Sequence, residues 1–324
     1  MSNQQHQSKS PCILVTGALG QIGTELTRAL RDIYGKECVV ATDIRHPDAG
    51  LLAEGPYYRL DILQKRDLEK IVEAHQVTQI YHLVAMLSAT GEMNPLAGWD
   101  LNMISLLNVL EVARNYRLNK VFWPSSIAVF GPGAPKINCP QYGVIDPVTA
   151  YGISKSAGEQ WCMYYRDHYA LDVRSLRYPG LISHMALPGG GTTDFAVSIF
   201  HEALANGHYK CFLSADTRLP MMYMPDAIRA TLQLMTADRS RLTVNGAYNI
   251  SGLSFTPSEL AEAISVHLPG FKIIYQPDSR QRIADSWPRT IDDEQARRDW
   301  SWQPVHNLPA IASDMILHLQ ARYR

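Results

Sequence analysis

Through the first half of the chain, short apolar runs alternate with longer stretches in which apolar residues recur every three or four positions. The short runs predict strands over 12–15, 38–42, 57–60, 79–83, 120–124 and 172–177, and the stretches between them predict helices over 22–34, 64–76, 99–117 and 151–169. Strand and helix in strict alternation is the pattern of parallel strands with helices crossing over them. It predicts an α/β fold, a Rossmann-type doubly wound parallel sheet.

Past Arg177 the rhythm changes. Pro188-Gly189-Gly190-Gly191 reads as a loop, a helix is predicted over 193–206, and short strands near Tyr209 and Ala247 alternate with further helices. Thr256-Pro257-Ser258-Glu259 combines an N-cap hydroxyl, a first-turn proline and a capping-box glutamate, three agreeing signals for a helix start. The expected organisation is a polar tail (1–11), a Rossmann domain (12–181) that a strand and helix from about 221–250 rejoin, and a smaller mixed α/β substrate region (182–220 and 251–324). No fixed-period repeat or low-complexity tract is present.

Composition narrows the function classes. With 46% hydrophobic residues and a formal net charge of −1, the chain has the make-up of an ordinary globule and no basic field for a polyphosphate chain, so nucleic acid is not an expected partner. No apolar run is long enough to span a bilayer. Five cysteines (Cys12, Cys38, Cys139, Cys162, Cys211) are an odd number without C-x-x-C spacing, which fits neither a disulfide framework nor a zinc cluster. A reducing, cytoplasmic location and no metal are expected, in keeping with a start that lacks both an apolar signal core and an Arg-rich amphipathic pattern.

Gly17-Ala18-Leu19-Gly20-Gln21-Ile22-Gly23 follows a predicted strand and opens a helix. Glycines at this spacing let backbone N–H groups approach a pyrophosphate at a helix N-terminus, although a tight strand-to-helix turn wants glycine too. The next strand ends at Asp43, 20 residues past Gly23, where a carboxylate accepts hydrogen bonds from a ribose 2′-hydroxyl and repels a 2′-phosphate. NAD is therefore expected over NADP, with Ile44 beside the ribose and Arg45 as the counterweight, since a guanidinium there is able to receive the phosphate. Asp61 and Ile62, closing the third strand, are candidates for the adenine edge; Leu83, Val84 and Ala85 close the fourth. Asn102 is a candidate for the nicotinamide ribose, against the plainer role of a helical surface or capping residue.

Tyr151-Gly152-Ile153-Ser154-Lys155 sets a phenol and an ammonium four residues apart on one helix face. A tyrosine at its ordinary pKa near 10 is a poor base at neutral pH, but a neighbouring ammonium and a cationic nicotinamide both stabilise phenolate. Ser126 stands just past the fifth strand, at the edge where open α/β sheets bind ligands, and offers a hydroxyl to a reacting oxygen. A chance helix pair is the competing interpretation of tyrosine and lysine taken alone.

Taken together, the glycine string, Asp43, Ser125-Ser126-Ile127-Ala128-Val129-Phe130-Gly131, Tyr151, Lys155 and Tyr178-Pro179-Gly180 resemble an extended short-chain dehydrogenase/reductase. The resemblance covers nearly the whole chain. Its serine-to-tyrosine spacing selects Ser126 as the catalytic hydroxyl, with Ser125 supporting the strand end. Longer strings resemble the zinc-independent L-threonine 3-dehydrogenases of that family: His82 to Glu92, Pro188 to Asp194, Leu219 to Asp226 and Ile283 to Pro288. The resemblance implies NAD-dependent oxidation of a 3-hydroxy amino acid, L-threonine, with Tyr151 as base, Lys155 tuning it and holding the ribose, and Ser126 on the oxygen. Tyr178, Pro179 and Leu181 are expected around the carboxamide. Ser88, Gly191, Thr192, Thr193 and Trp287 are expected around the amino acid, the glycine-rich segment being either a lid or a connector whose threonine is an N-cap. Helices 99–117 and 151–169 carry more apolar surface than one sheet face uses, which with the resemblance implies a homodimer. The alternatives are a nucleotide-sugar epimerase or dehydratase of the same family and a non-catalytic NAD sensor.

Overall fold

Along β1 (Ile13–Thr16), Ile13 and Val15 pack to one side of the sheet and Leu14 to the other, all three fully buried. A strand that is apolar at every position is stable only when both faces are covered. The computed structural model describes residues 11–47 and 54–323, so the predicted tail, Pro11 apart, lies outside the described residues. After β1 come α1 (Gln21–Tyr34), β2 (Val39–Asp43), β3 (Tyr57–Arg59), α2 (Lys65–His75), β4 (Gln79–His82), α3 (Ser88–Met93), α4 (Pro95–Asn115), β5 (Lys120–Phe122), β6 (Ser125–Ser126), α5 (Ala150–Tyr169) and β7 (Val173–Tyr178). The second half continues with β8 (Gly180–Ile182), α6 (Phe195–Asn206), β9 (His208–Cys211), β10 (Leu219–Tyr223), α7 (Met224–Thr236), β11 (Ala247–Asn249), β12 (Leu253–Phe255), α8 (Pro257–Ser265), β13 (Lys272–Tyr275), α9 (Ser279–Ser286), α10 (Glu294–Trp300) and α11 (Leu308–Leu319).

The main sheet is parallel throughout, in the order β3-β2-β1-β4-β5-β7-β11, with β6 also on β7. Apolar residues of α1, α7 and α10 cover one face, and those of α2, α4 and α5 the other. This is a doubly wound α/β sheet, and its strand order reverses between β1 and β4, which opens a crevice at the carboxyl ends of those strands. Ala247–Asn249 returns from the second half to extend it.

A second layer is built from a three-stranded sheet, β8-β10-β12, and the parallel pair β9–β13. Its core joins Ile127 to Phe130 with residues of α6, α8 and α11. The capping box at Thr256 forms in full, with Glu259 N–H donating to Thr256 Oγ1 and Thr256 N–H to Glu259 Oε2. The predicted helix at 99 begins earlier, at Pro95, behind an Asn94 N-cap, and a separate six-residue helix, α3, precedes it. Among the described residues no helix is long and apolar enough to cross a membrane.

Candidate active site

A cleft of about 1000 Å³ runs along the carboxyl edge of the main sheet, from the β1–α1 turn to the segment after β8. That volume is at the upper end for small-molecule sites and admits a dinucleotide beside a second, small ligand. At one end lie Gly17, Gly20, Gln21, Ile22 and Gly23. Gly17 holds φ +77°, a conformation that favours glycine. A Cβ at Gly23 would lie 2.1 Å from Gly17 O, so glycine there is a condition of the turn closing on its helix. Gly20 caps α1 with no side-chain hydrogen bond and no acidic residue occupies the first turn, which leaves the N-terminal amides and the positive helix end facing the cleft. Gln21 Nε2 is buried and without a partner among the described residues. A glycine cradle, free amides and an unmatched amide donor form a donor set that fits a pyrophosphate.

Asp43 ends β2 beneath this turn. Its Oδ2 accepts from Leu19 N–H at 3.1 Å, and its two oxygens take the Arg45 guanidinium at 3.1 and 3.2 Å. Burial raises the Asp43 carboxyl, but the hydrogen bonds from Arg45 and Leu19 outweigh it and hold the group below its ordinary value. Arg45, read from sequence as a possible phosphate receiver, is thus engaged by the carboxylate it was weighed against.

Ser126, Tyr151 and Lys155 line the same cleft, Tyr151 hydrogen-bonded to Ser126 and its ring 5.6 Å from Lys155 Nζ. Ser126 is carried by β6, which pairs with Arg177–Tyr178 of β7, and its Oγ accepts from Ala128 N–H. Tyr151 and Lys155 come from the first turns of α5, capped by Thr149 Oγ1 on Gly152 N–H. Lys155 is 3% exposed; its Nζ donates to Pro124 O at 2.6 Å, lies 4.4 Å from the Trp123 ring and 5.6 Å from the Tyr151 ring. Burial lowers its ammonium to about 7, against the charges of Cys162 and Glu159. Burial likewise pushes the Tyr151 phenol up to about 12, against a hydrogen bond with Ser126 that lowers it. Protein groups alone therefore set the phenol above its ordinary value, because desolvation dominates and the ammonium is turned onto a carbonyl and an indole.

Behind these residues is a buried ion pair. Glu159 accepts from Arg177 Nε at 2.9 Å and Nη2 at 2.8 Å, and from Ser125 Oγ; Arg177 also donates to Gln141 O and Asn249 Oδ1. Ser125 is thereby tied to α5 and β7, which fixes the strand carrying Ser126.

At the far end, two residues 104 apart in sequence meet: Ser88 Oγ lies 3.2 Å from Thr192 Oγ1 and 3.3 Å from Thr192 N. Asp194 Oδ2 accepts the N–H groups of Gly190 and Gly191 at 2.8 and 2.7 Å, so Asp194, not Thr192 or Thr193, stands at the start of α6. Trp287 closes this end, held from behind by Lys136, whose Nζ donates to the carbonyls of Asp285, Ser286 and Trp287.

Arg45, Leu83, Ala85, Tyr178, Pro179, Leu181, Gly191 and Thr193 also line the cleft; Asp43, Ile44, Asp61, Ile62, Val84 and Asn102 do not, Asp43 being buried behind Leu19 and Arg45, which do. Asn102 turns its amide to Met86, accepting from its N–H at 2.7 Å, and donates to Met86 O and Ser154 Oγ. It braces the loop after β4 from beneath, and is not free for a ribose. Asp61 Oδ1 accepts from Leu63 N–H at 3.0 Å. Sequence reasoning gave no role to the apolar wall: Leu101 and Met185 to Leu187 carry no motif, and Met86, Leu87 and Pro188 lie within the resembling strings but were not singled out.

A parallel dinucleotide fold with a serine, a tyrosine and a lysine gathered over the expected coenzyme path is the arrangement of a short-chain dehydrogenase/reductase. The chain belongs to the NAD dependent epimerase/dehydratase family, whose family model matches residues 13–251. An uncharacterised epimerase/dehydratase of Staphylococcus saprophyticus is 48% identical over 306 residues, 94% of this chain and 95% of that protein. Among solved structures, an L-threonine dehydrogenase from Cupriavidus necator in its holo form superposes with a TM-score of 0.92 at 52% identity, covering 95% of this chain and all of that one. A monomeric L-threonine 3-dehydrogenase from a metagenome matches with a TM-score of 0.93 at 46% identity, over 96% of this chain and 100% of that chain.

Proposed function

We propose that the chain oxidises the Cβ hydroxyl of L-threonine to 2-amino-3-ketobutyrate with NAD as coenzyme. The gathering of Ser126, Tyr151 and Lys155 in the same cleft as the glycine turn and the Ser88–Thr192 contact carries this reading. The amino acid lies between Ser126 and the Ser88–Thr192–Trp287 end, where hydroxyls and backbone N–H groups receive its carboxylate. Ser126 donates to the reacting oxygen as alcohol becomes ketone, and Tyr151 Oη takes the hydroxyl proton. Lys155 holds the ribose and sets the charge beside the phenol. NAD, held by Gly17 to Gly23, Asp43 and the backbone of Pro179 to Leu181, supplies the hydride acceptor. The first unit, 12–181 with 221–250, bears the coenzyme residues, and 182–220 with 251–324 closes over the amino acid. The matched dehydrogenase structures support this assignment over a nucleotide-sugar epimerase.

The direct test follows NADH absorbance with L-threonine and NAD. Steady NADH formation is expected; because epimerisation or dehydration of a nucleotide sugar returns the coenzyme to NAD and leaves no net NADH, UDP- and dTDP-sugars are followed by chromatography of the sugar product, and a nucleotide sugar turned over in preference to threonine refutes the assignment. We further propose a cytoplasmic homodimer, paired through α4 and α5, where Trp99, Ile104, Trp161, Tyr164 and Tyr169 are exposed. The monomeric metagenomic relative is the opposing case, and sedimentation at micromolar concentration decides.

A further inference from the structure

Away from the cleft wall, His184, in the segment after β8, meets Asp314 and His318 on the last turns of α11. One ring nitrogen of each histidine and a carboxylate oxygen of Asp314 lie within 4.8 Å of one another. Asp314 and His318 are four residues apart, so a single helix face presents both. The two imidazoles stack with centroids 4.2 Å apart and planes at 17°.

The hydrogen bonds around the cluster fix where the ring hydrogens sit. His318 Nδ1 lies 2.9 Å from Asp314 O and 3.4 Å from Asp314 Oδ1, both acceptors, so that nitrogen carries the hydrogen. The Tyr223 hydroxyl donates its one hydrogen to Asp314 Oδ2. The 3.2 Å contact between Tyr223 Oη and His184 Nδ1 therefore has the imidazole as donor. Each ring is thus oriented by an N–H to an oxygen acceptor and keeps a lone pair on its other nitrogen, which accepts no hydrogen bond among the described residues. Metal-ligating histidines are set up by the same kind of outer contact.

We propose that His184, Asp314 and His318 form a binding site for a divalent transition ion of Zn²⁺ or Co²⁺ type, a ring nitrogen from each histidine and the Asp314 carboxylate being completed by water. Two imidazoles and a carboxylate are a borderline-soft set that suits these ions better than Mg²⁺ or Ca²⁺. A tetrahedral ion with bonds near 2.0–2.1 Å keeps its ligand atoms roughly 3.4 Å apart, so atoms spread over 4.8 Å have to close by up to about 1.4 Å, and the rings, stacked at 17° with their Nδ1–H groups on oxygens, have to unstack to turn their free nitrogens onto one ion. His318 has that freedom: its side chain is 46% exposed and stands on the final turn of its helix.

The position gives the site a consequence. His184 is followed directly by Met185 to Gly189, which line the cleft, and preceded by Ser183, which donates to Glu25 on α1. An ion bridging His184 to α11 tethers the start of the cleft-lining segment to the distal half and slows threonine turnover by holding that segment. This last consequence rests on the proposed reaction; ion binding does not.

The test titrates Co²⁺ into the full chain with neither NAD nor threonine present, following its visible ligand-field absorption, and then displaces it with Zn²⁺. A saturable, tetrahedral-type spectrum at one equivalent is expected, weakened at least tenfold in both His318→Asn and Asp314→Asn. His318 is on the surface, so its replacement leaves the fold intact, as circular dichroism checks. No saturable spectrum, or an unchanged affinity in His318→Asn, overturns the site. Zn²⁺ lowering kcat in the wild type but not in His318→Asn supports the tether; unaltered kcat at saturating Zn²⁺ refutes the tether alone.

Discussion

Replacing Lys155 with Met changes the proton inventory of the catalytic pair. Burial sets Lys155 near 7 and Tyr151 near 12, so the pair gives up its first proton at the lower value and keeps its second until far into the alkaline range. One proton short, the pair has the same count whether written as amine and phenol or as ammonium and phenolate. It is this form that takes the substrate proton. For the wild type, kcat/KM for threonine at saturating NAD is expected to rise about tenfold per pH unit below 7 and to level off above it. In Lys155→Met only the phenol remains, the plateau disappears, and the rate climbs with pH through 10. With only a phenol pushed up to about 12 left, roughly one part in 10⁴ is ionised at pH 8, so kcat/KM is expected to fall steeply there and to recover about tenfold for each further unit of pH. Initial rates from pH 6 to pH 10, with NAD binding and circular dichroism as controls, measure it. A variant profile that still breaks near pH 7 refutes the reasoning, because some other group then sets the break.

Tyr151→Phe is expected to abolish turnover while leaving NAD affinity within a few-fold; near-normal kcat removes Tyr151 as the base. Asp43→Ala frees Arg45 and removes the acceptor for the ribose, so NAD should weaken more than NADP in fluorescence titrations, and the reverse order contradicts the site. Glu159→Ala leaves the Arg177 guanidinium buried without its carboxylate, at a cost of about 3–5 kcal/mol in urea unfolding; a loss under about 1 kcal/mol means the pair is not holding β6 to α5.

The parts of the fold legible in sequence are those written locally. The β1–α1 glycines, the Thr256 capping box and the Tyr151–Lys155 face each sit within a few residues, and the parallel strands announce themselves by being apolar on both faces. The three-stranded sheet was not legible, since Leu181, Met222 and Ser254 lie on strands joined only by long-range pairing. Helix α3 was hidden by Gly91 and by the lack of a capping side chain at Leu87. Asn102 was misplaced because a helix residue's partner, here the backbone of Met86, depends on how two elements pack. Glu159 and Arg177 escaped notice as well: the periodicity that finds a helix or strand says nothing about a charge on one element meeting a charge on another.

Lys136 also bears on how the cleft can change shape. It belongs to the loop that follows the Ser126 strand, yet it grips the last carbonyls of α9 and, through its own carbonyl, the N–H groups of Arg289 and Thr290. The wall bearing Trp287 is bolted to the catalytic side of the molecule and travels with it. The stretch from Met185 to Gly189 lines the same cleft and, among the described residues, makes no hydrogen bond to that loop, so the two walls are not anchored alike.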